Sequence, residues 1–366
     1  MRASRAVAAA AGAALAVLTS APPATAAPVA CGDTLSGDVV LTADLVCTGT
    51  LGLRLTDGTT LDLAGHRVVG AGVGTGIAVP PDGEVTVRHG VVAGWDEGVA
   101  PDWENPTAQS GLLMLDDLTL RDNQHGVRAV GLLGRMPQIE VSASRFVGND
   151  VGIDTLQAQG VAVSSSRFTG NRYGLYVTSG MSSVEVVGSV LAHNTTALGC
   201  SDGGGCALVD STLRDNGTGV QVDAAGGAEL RGSTLARNGV GAGCNHADLR
   251  LEDDDVRDNG TGVRTYNCSG SVVGSTFLRN DVGLRGDHDA EWIEGPALQG
   301  NTFRRNGDGV LLRSELSTLE GNTAIRNERW GIYAPLSIDL GGNTARGNGN
   351  EPQCVGVVCA DAGPVS

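Results

Sequence analysis

The chain contains no lysine; all 25 of its basic residues are arginine. Coding bias is the simplest source of that absence, yet it removes every mechanism that depends on a lysine base, nucleophile or Schiff base. Aromatic residues make up only 3%, too few to build one large globular core on rings. Beyond the first two dozen residues, no apolar run approaches the roughly 20 residues needed to span a bilayer, so no membrane span is expected. No C-x-x-C pair recurs and no histidine stands at zinc-ligand spacing, so no metal site is expected. Positive charge is short as well: 41 acids against 25 bases give a formal charge of −16. Such a surface repels phosphate backbones, and nucleic acid is not an expected partner.

What the sequence does contain begins with a leader. Arg2 and Arg5 form a positive start, Ala6 to Leu18 an apolar stretch, and Ala24-Thr25-Ala26 a small-x-small cleavage pattern. Residues 1–26 therefore read as a secretory signal, and the mature protein is expected to be secreted and extracellular. Its removal takes the charge from −16 to −18, because two arginines leave with it. The eight cysteines fall into four pairs close in sequence: Cys31 with Cys47, Cys200 with Cys206, Cys244 with Cys268, and Cys354 with Cys359. An even number in an exported chain reads as disulfides, with this pairing expected from proximity.

One pattern recurs along the chain: a small polar residue, x, an apolar residue, two residues, Asn, two residues, Gly, then an apolar residue. Clear copies start at Ser144, Ser166, Ser211, Ser275 and Asn301. The asparagine falls at positions 123, 149, 171, 194, 216, 238, 259, 280, 306, 327 and 348, with gaps of 21 to 26 residues. Asparagine tolerates the left-handed backbone region, so each is expected to mark a tight corner. Alternation as in Gly262-Val263-Arg264-Thr265-Tyr266 reads as a strand with one face inward. A unit of this size holds about three short strands, and it buries its inner face by stacking on its neighbours in three parallel sheets. About twelve coils are expected over residues 57–348, with an N-terminal cap at 27–56 and a C-terminal cap and tail at 349–366. The outer cysteine pairs would fasten the two ends.

The runs "LDLAGHRVVG", "RDNGTGV", "RNDVGL" and "RNGDGV" resemble the repeats of the right-handed parallel β-helix superfamily, the pectate-lyase-like solenoids. The resemblance covers the mature chain and implies a single-stranded, right-handed, all-β parallel solenoid. It also implies polysaccharide as a partner, since that superfamily includes pectate lyases, polygalacturonases, alginate lyases, mannuronan epimerases and phage tailspikes. Fold-level likeness does not fix a reaction, so the site is sought in the residues.

The first outward position after each Gly-apolar step holds Arg128, Asp154, Tyr176, Gly199, Gln221, Gly243, Arg264, Arg285, Leu311 and Tyr333. Two residues further come Val130, Leu156, Thr178, Ser201, Asp223, Asn245, Tyr266, Asp287, Arg313 and Pro335. Rings on such a stripe stack on sugar faces, while amides, carboxylates and guanidinium groups meet sugar hydroxyls or carboxylates. Its centre is densest. His246, Arg264, Tyr266, Arg285 and His288 are candidate catalytic groups, since an arginine beside a uronate carboxylate with a His or Tyr base at C5 is what β-elimination or epimerisation requires. Tyr176, Gln221, Asp223, Asn245, Asp287, Trp292, Arg313 and Tyr333 are candidate ligand-binding residues. Long segments at Pro101 to Ser110, Arg128 to Gln138 and Asp289 to Pro296 are candidate walls of the site.

The polygalacturonase carboxylate set does not occur together, and Asp287-His288-Asp289 only approaches the D-P-H motif of the epimerases. The triplet Asp253-Asp254-Asp255 offers oxygen ligands to calcium, but no motif supports Ca2+; it reads as a solvated turn, and no cofactor is expected. His66, His89, His125 and His193 read as structural. The sequence thus points to a secreted, monomeric β-helix that binds extracellular or cell-surface polysaccharide. A lyase or C5-epimerase of uronic-acid polymers, and a structural or adhesive solenoid, are the alternatives.

Overall fold

The computed structural model describes residues 28–102, 111–130, 138–156, 158, 160–178, 182–287, 295–313 and 317–361, in which all regular structure is strand and no helix occurs. The secretory signal expected at residues 1–26 lies outside the described residues. Strands are short because each repeat gives its small polar and glycine residues to bends. Between the bends, branched apolar side chains point inward at alternate positions, as Val263 and Thr265 do while Arg264 and Tyr266 point out.

Three parallel sheets result. The first holds fifteen strands, from Thr34–Leu35 to Cys354–Val355, each paired with the strand one coil away. The second and third sheets are joined where the ten-residue strands Glu84–Ala93 and Leu112–Arg121 run through both, turning at the left-handed residues His89 and Asp117. There are about thirteen turns, against about twelve expected from the sequence. Strands Thr34–Leu35, Asp38–Val40 and Leu45–Val46 already pair in register with the coil that follows.

The asparagines build a buried ladder at the bend from the third sheet to the first. Asn238 donates from its backbone N–H and its Nδ2 to Oδ1 of Asn259, at 2.8 and 3.1 Å, and the pattern repeats from Asn123 to Asn348. Each Nδ2 also donates to a carbonyl of the preceding coil, such as Leu213 for Asn238 at 3.0 Å. The amide therefore satisfies backbone groups that a bend would otherwise leave unpaired inside the core. At the C-terminal end Gln353 takes the place of a further asparagine, its Oε1 accepting from both the N–H and the Nδ2 of Asn348.

The left-handed residue is not the asparagine, as the sequence suggested, but the one before it. Asp122, His193, Asp215, Arg237, Asp258, Arg279, Arg305 and Arg326 have φ between 54° and 59°. Glycine stands at the same place in the coils at Gly148, Gly170 and Gly347. The asparagine is selected for its amide, and the preceding position absorbs the backbone strain. The glycine three residues after the asparagine serves close approach: a Cβ built on Gly262 would collide with the Gly283 carbonyl of the next coil.

A second ladder lines the bend from the second sheet to the third, through Ser144, Ser166, Ser189, Ser211 and Ser233 to Asp254, then Ser275, Asn301, Asn322 and Asn343. This corrects the reading of the acidic triplet. Asp253 makes the left-handed turn and Asp255 faces out beside Arg257, but Asp254 is buried, with 2% exposure. It accepts from the N–H groups of Ser233 and Glu252, yet burial outweighs those bonds and pushes its carboxyl up to about 7.

The four disulfides join Cys31 to Cys47, Cys200 to Cys206, Cys244 to Cys268, and Cys354 to Cys359, as expected from proximity. The outer two lie near the ends; Cys244–Cys268 ties one coil to the next beside the bend from the first sheet to the second. The interior is a set of columns of Leu, Val and Ile running along the axis, with Phe146 stacked on Phe168 at 4.5 Å and Phe277 on Phe303 at 4.6 Å.

Candidate functional site

Register places the outward stripe as one continuous column. Arg128, Asp154, Tyr176, Gly199, Gln221, Gly243, Arg264, Arg285, Leu311 and Tyr333 are successive pairing partners across the first sheet. The neighbouring column runs through Asp223, Asn245, Tyr266 and Asp287 in the same way. Parallel pairing with identical coil geometry leaves little freedom here, because a slip of one residue would turn every inward side chain outward.

At the centre these columns form a concavity of ≈ 420 Å³ lined by Gln221, Asp223, Asn245, Arg264, Tyr266, Arg285 and Asp287. Its floor is open because Gly243 has no side chain, and Gln221 leans across it; a Cβ there would lie 2.6 Å from Gln221 Oε1. Two polar pairs fix the walls. Gln221 Nε2 donates to Asp223 Oδ1 at 2.9 Å, and Arg285 Nε donates to Asp287 Oδ2 at 2.7 Å. Arg313 reaches the other oxygen of Asp287 at 3.6 Å. Arg264 is exposed and has no ion-pair partner among the described residues, so its guanidinium remains available to a ligand oxyanion. The Tyr266 ring, 36% exposed, stands in the adjacent column.

The other candidates are placed elsewhere. His246 sits at the bend from the first sheet to the second, in the left-handed conformation. Its Nδ1 meets Asn245 Oδ1 at 2.9 Å and its Nε2 meets Asn267 Nδ2 at 3.1 Å, so both ring nitrogens are engaged. The imidazole meets Tyr266 edge to face at 5.5 Å and lines a separate hollow of ≈ 330 Å³ with Asp248 and Ser269. Tyr176 and Tyr333 lie on the same column but away from the concavity. His288 and Trp292 lie outside the described residues, as do most of the three proposed wall segments. Among the described residues no group of three or more His, Cys, Asp or Glu could hold a metal ion.

A third outward column, absent from the sequence reading, runs beside the first: Glu97, His125, Val151, Tyr173, Thr196 and Thr218. Tyr173 packs 4.9 Å from Tyr176, the Arg172 guanidinium lies over the Tyr173 ring at 5.0 Å, and both rings lean over Gly199. Two coils from the concavity, this makes an aromatic ledge on the same face. Tyr173 stands two residues after the asparagine of its repeat and just before the glycine, where strand and bend meet. Further along, Arg128 pairs with Glu97 at 2.7 Å, and His125 Nδ1 lies 3.2 Å from an Asp154 carboxylate oxygen, so the polar groups at that end of the stripe face one another. A different hollow, on the second sheet, is lined by Gly160, Ala162, Ser183, Gly205 and Ala207, and Glu185 is its one charged group.

Comparison with known proteins agrees with this architecture. The family described as right handed beta helix region matches residues 109–235 and 196–351. The crystal structure of the periplasmic alginate epimerase AlgG is similar at 13% identity and a TM-score of 0.50, over 76% of this chain and 77% of that one. Pectate lyase Pel9A is similar at 16% identity and a TM-score of 0.40, over 69% of this chain and 73% of that one. At such identities the likeness is one of fold. No curated protein matches the chain by sequence.

Proposed function

The chain belongs to the right-handed β-helix family, and from that premise we propose that it binds an extracellular polysaccharide along the outer face of its first sheet, with the central concavity as the principal subsite. One observation carries the reading. An exposed guanidinium without an acid partner among the described residues, Arg264, shares a hollow with Tyr266, Asn245 and two fixed carboxylates over a glycine floor. Planar hydrogen-bonding groups around a ring are suited to sugar hydroxyls, and Arg264 is suited to one carboxylate of a uronate. The Tyr173–Tyr176 ledge would extend the contact to further sugars. Four disulfides and the leader-like start support an extracellular setting.

The test is binding to an array of glycans. Wild-type protein is expected to bind a subset, and Arg264→Ala and Tyr266→Ala each to weaken binding about tenfold without unfolding. Failure of the folded wild-type protein to bind any glycan would leave only a structural or adhesive solenoid. A second reading rests on the presence of Tyr266 in the same hollow as Arg264 and Arg285, the groups that C5 proton abstraction from a uronate requires. Under that reading Tyr266, as its phenolate, takes the C5 proton while the arginines stabilise the charge that develops on the carboxylate. In elimination the C4–O bond then breaks, with water protonating the leaving oxygen; in epimerisation water returns a proton to C5 from the opposite face. Ultraviolet absorbance of unsaturated ends, or a change in the uronate ratio of the polymer, would report it, and Tyr266→Phe would abolish it.

A further inference from the structure

The left-handed position before each ladder asparagine forms an exposed column at the bend from the third sheet to the first, on a different side from the concavity. Through the middle coils this column alternates in sign: Asp215, Arg237, Asp258, Arg279. Arg237 grips Asp215 with two bonds, of 2.7 and 3.0 Å, and Arg279 grips Asp258 likewise, at 2.6 and 2.9 Å. These clamps hold Asp215 down at about 2 and keep Asp258 below the usual carboxylate range. In the next two coils the alternation stops, and the column reads Arg305 and then Arg326. The N–H of Arg305 bonds to the Ile325 carbonyl at 3.1 Å, so the two positions are direct neighbours across one coil step of roughly 4.8 Å. Arg304, the residue before Arg305, adds a third guanidinium, and Arg346 lies in the same strand column two coils on. Arg304, Arg305 and Arg326 have no ion-pair partner among the described residues. Beside them runs a row of threonines, Thr302, Thr323 and Thr344, with the last two hydroxyls 3.0 Å apart.

We infer that this arginine cluster is a second binding site, for an anionic polysaccharide that bridges adjacent guanidinium groups with its oxyanions and meets the threonine hydroxyls with its own. Like charges one coil apart repel, and nothing in the fold demands them there: glycine and aspartate occupy the same position in other coils without disturbing the ladder. An oxyanion held between the two forks removes that repulsion and forms charge-assisted bonds in the planar geometry arginine provides. The acidic charge of the whole chain works against a long phosphate polymer such as nucleic acid. A sugar chain supplies the hydroxyls that match the threonine row. Carboxylate and sulfate share this chemistry, and the experiment separates them.

The experiment measures binding of the full chain to polygalacturonate and to dextran sulfate, with a short DNA duplex alongside. The double variant Arg305→Gly with Arg326→Gly keeps a residue that other coils carry at this position, and is expected to bind about tenfold more weakly to whichever polymer wild type prefers. The cleft variant Arg264→Ala should leave that loss intact as a separate effect. Arg305→Asp provides the independent check. It gives Arg326 an acid on the preceding coil, as Asp215 is to Arg237, so the protein should melt higher while binding is lost. Unchanged affinity in both corner variants, no binding of either polysaccharide by wild type, or tighter binding of DNA than of either would each overturn the inference. Loss confined to the cleft variant would overturn it while leaving the proposed function standing.

Discussion

The bend from the third sheet to the first and the bend from the first sheet to the second belong to the same coils, but they are built on opposite terms. The former is threaded by buried asparagine amides from Asn123 to Asn348 and changes little in length from coil to coil. The latter has no ladder among the described residues and absorbs the variation. In both 26-residue repeats the extra residues fall there, between His125–Val130 and Gln138–Ser142 and between Val282–Asp287 and Ala297–Gln299. The central concavity borders this permissive bend. A solenoid of this kind keeps its register with two corners and leaves the third free to vary in length.

Breaking the laddered corner should have the largest effect. Asn238→Ala leaves the Asn216 N–H and the Leu213 carbonyl unpaired in the core, for a cost of about 3–5 kcal/mol in chemical denaturation. Next in size is Asp254, the one carboxylate in the second ladder. Its carboxyl titrates at about 7 in the fold against 3.8 for the free group. The folded state therefore holds a proton that the unfolded chain has released. Stability is greatest below about pH 4 with respect to this group, and falls as the pH rises through 7. Asp254→Asn supplies the amide used at Asn301, Asn322 and Asn343, and is expected to stabilise the protein by on the order of 3 kcal/mol at pH 8. At pH 4 the gain should nearly vanish. Melting curves across that range check the sign, and an equal gain at both pH values would refute the buried-carboxyl account.

Smaller effects test the permissive bend. A Gly-Ser insertion between Ala225 and Gly226 should cost under about 1 kcal/mol, since loop closure depends only weakly on length. The same insertion between Arg237 and Asn238 should prevent folding, which solubility and circular dichroism would show at once. The smallest change expected is at the exposed Arg231, paired with Glu229 and Glu252 on the outer face of the second sheet. Arg231→Ala should move stability by less than about 0.5 kcal/mol.

These contrasts explain what was legible in the sequence. A ladder needs the same side chain once per coil, so its period is written plainly, and from it follow the coil register and the outward column from Arg128 to Tyr333. Gln221, Asp223, Asn245, Arg264, Tyr266, Arg285 and Asp287 fall into one hollow because parallel coils carry register across the sheet. The environment of a residue within the bend was not legible. His246 and Asp254 each belong to a polar stretch, and only the direction of a left-handed turn decides that one lies at the surface beside Asn267 and the other in the core. Tyr173 was missed for a similar reason. It stands just before the glycine, where strand and bend meet, and its outward direction depends on where the bend ends.

Gln353 gives the ladder one further property. A row of amides that accept at one end and donate at the other is an open polymer, able in principle to add a unit wherever it stops. By folding back so that a single glutamine oxygen takes both bonds Asn348 has to give, the chain supplies its own terminator. The number of rungs is thus set within the molecule, and the last asparagine has no amide bond left to template an incoming neighbour.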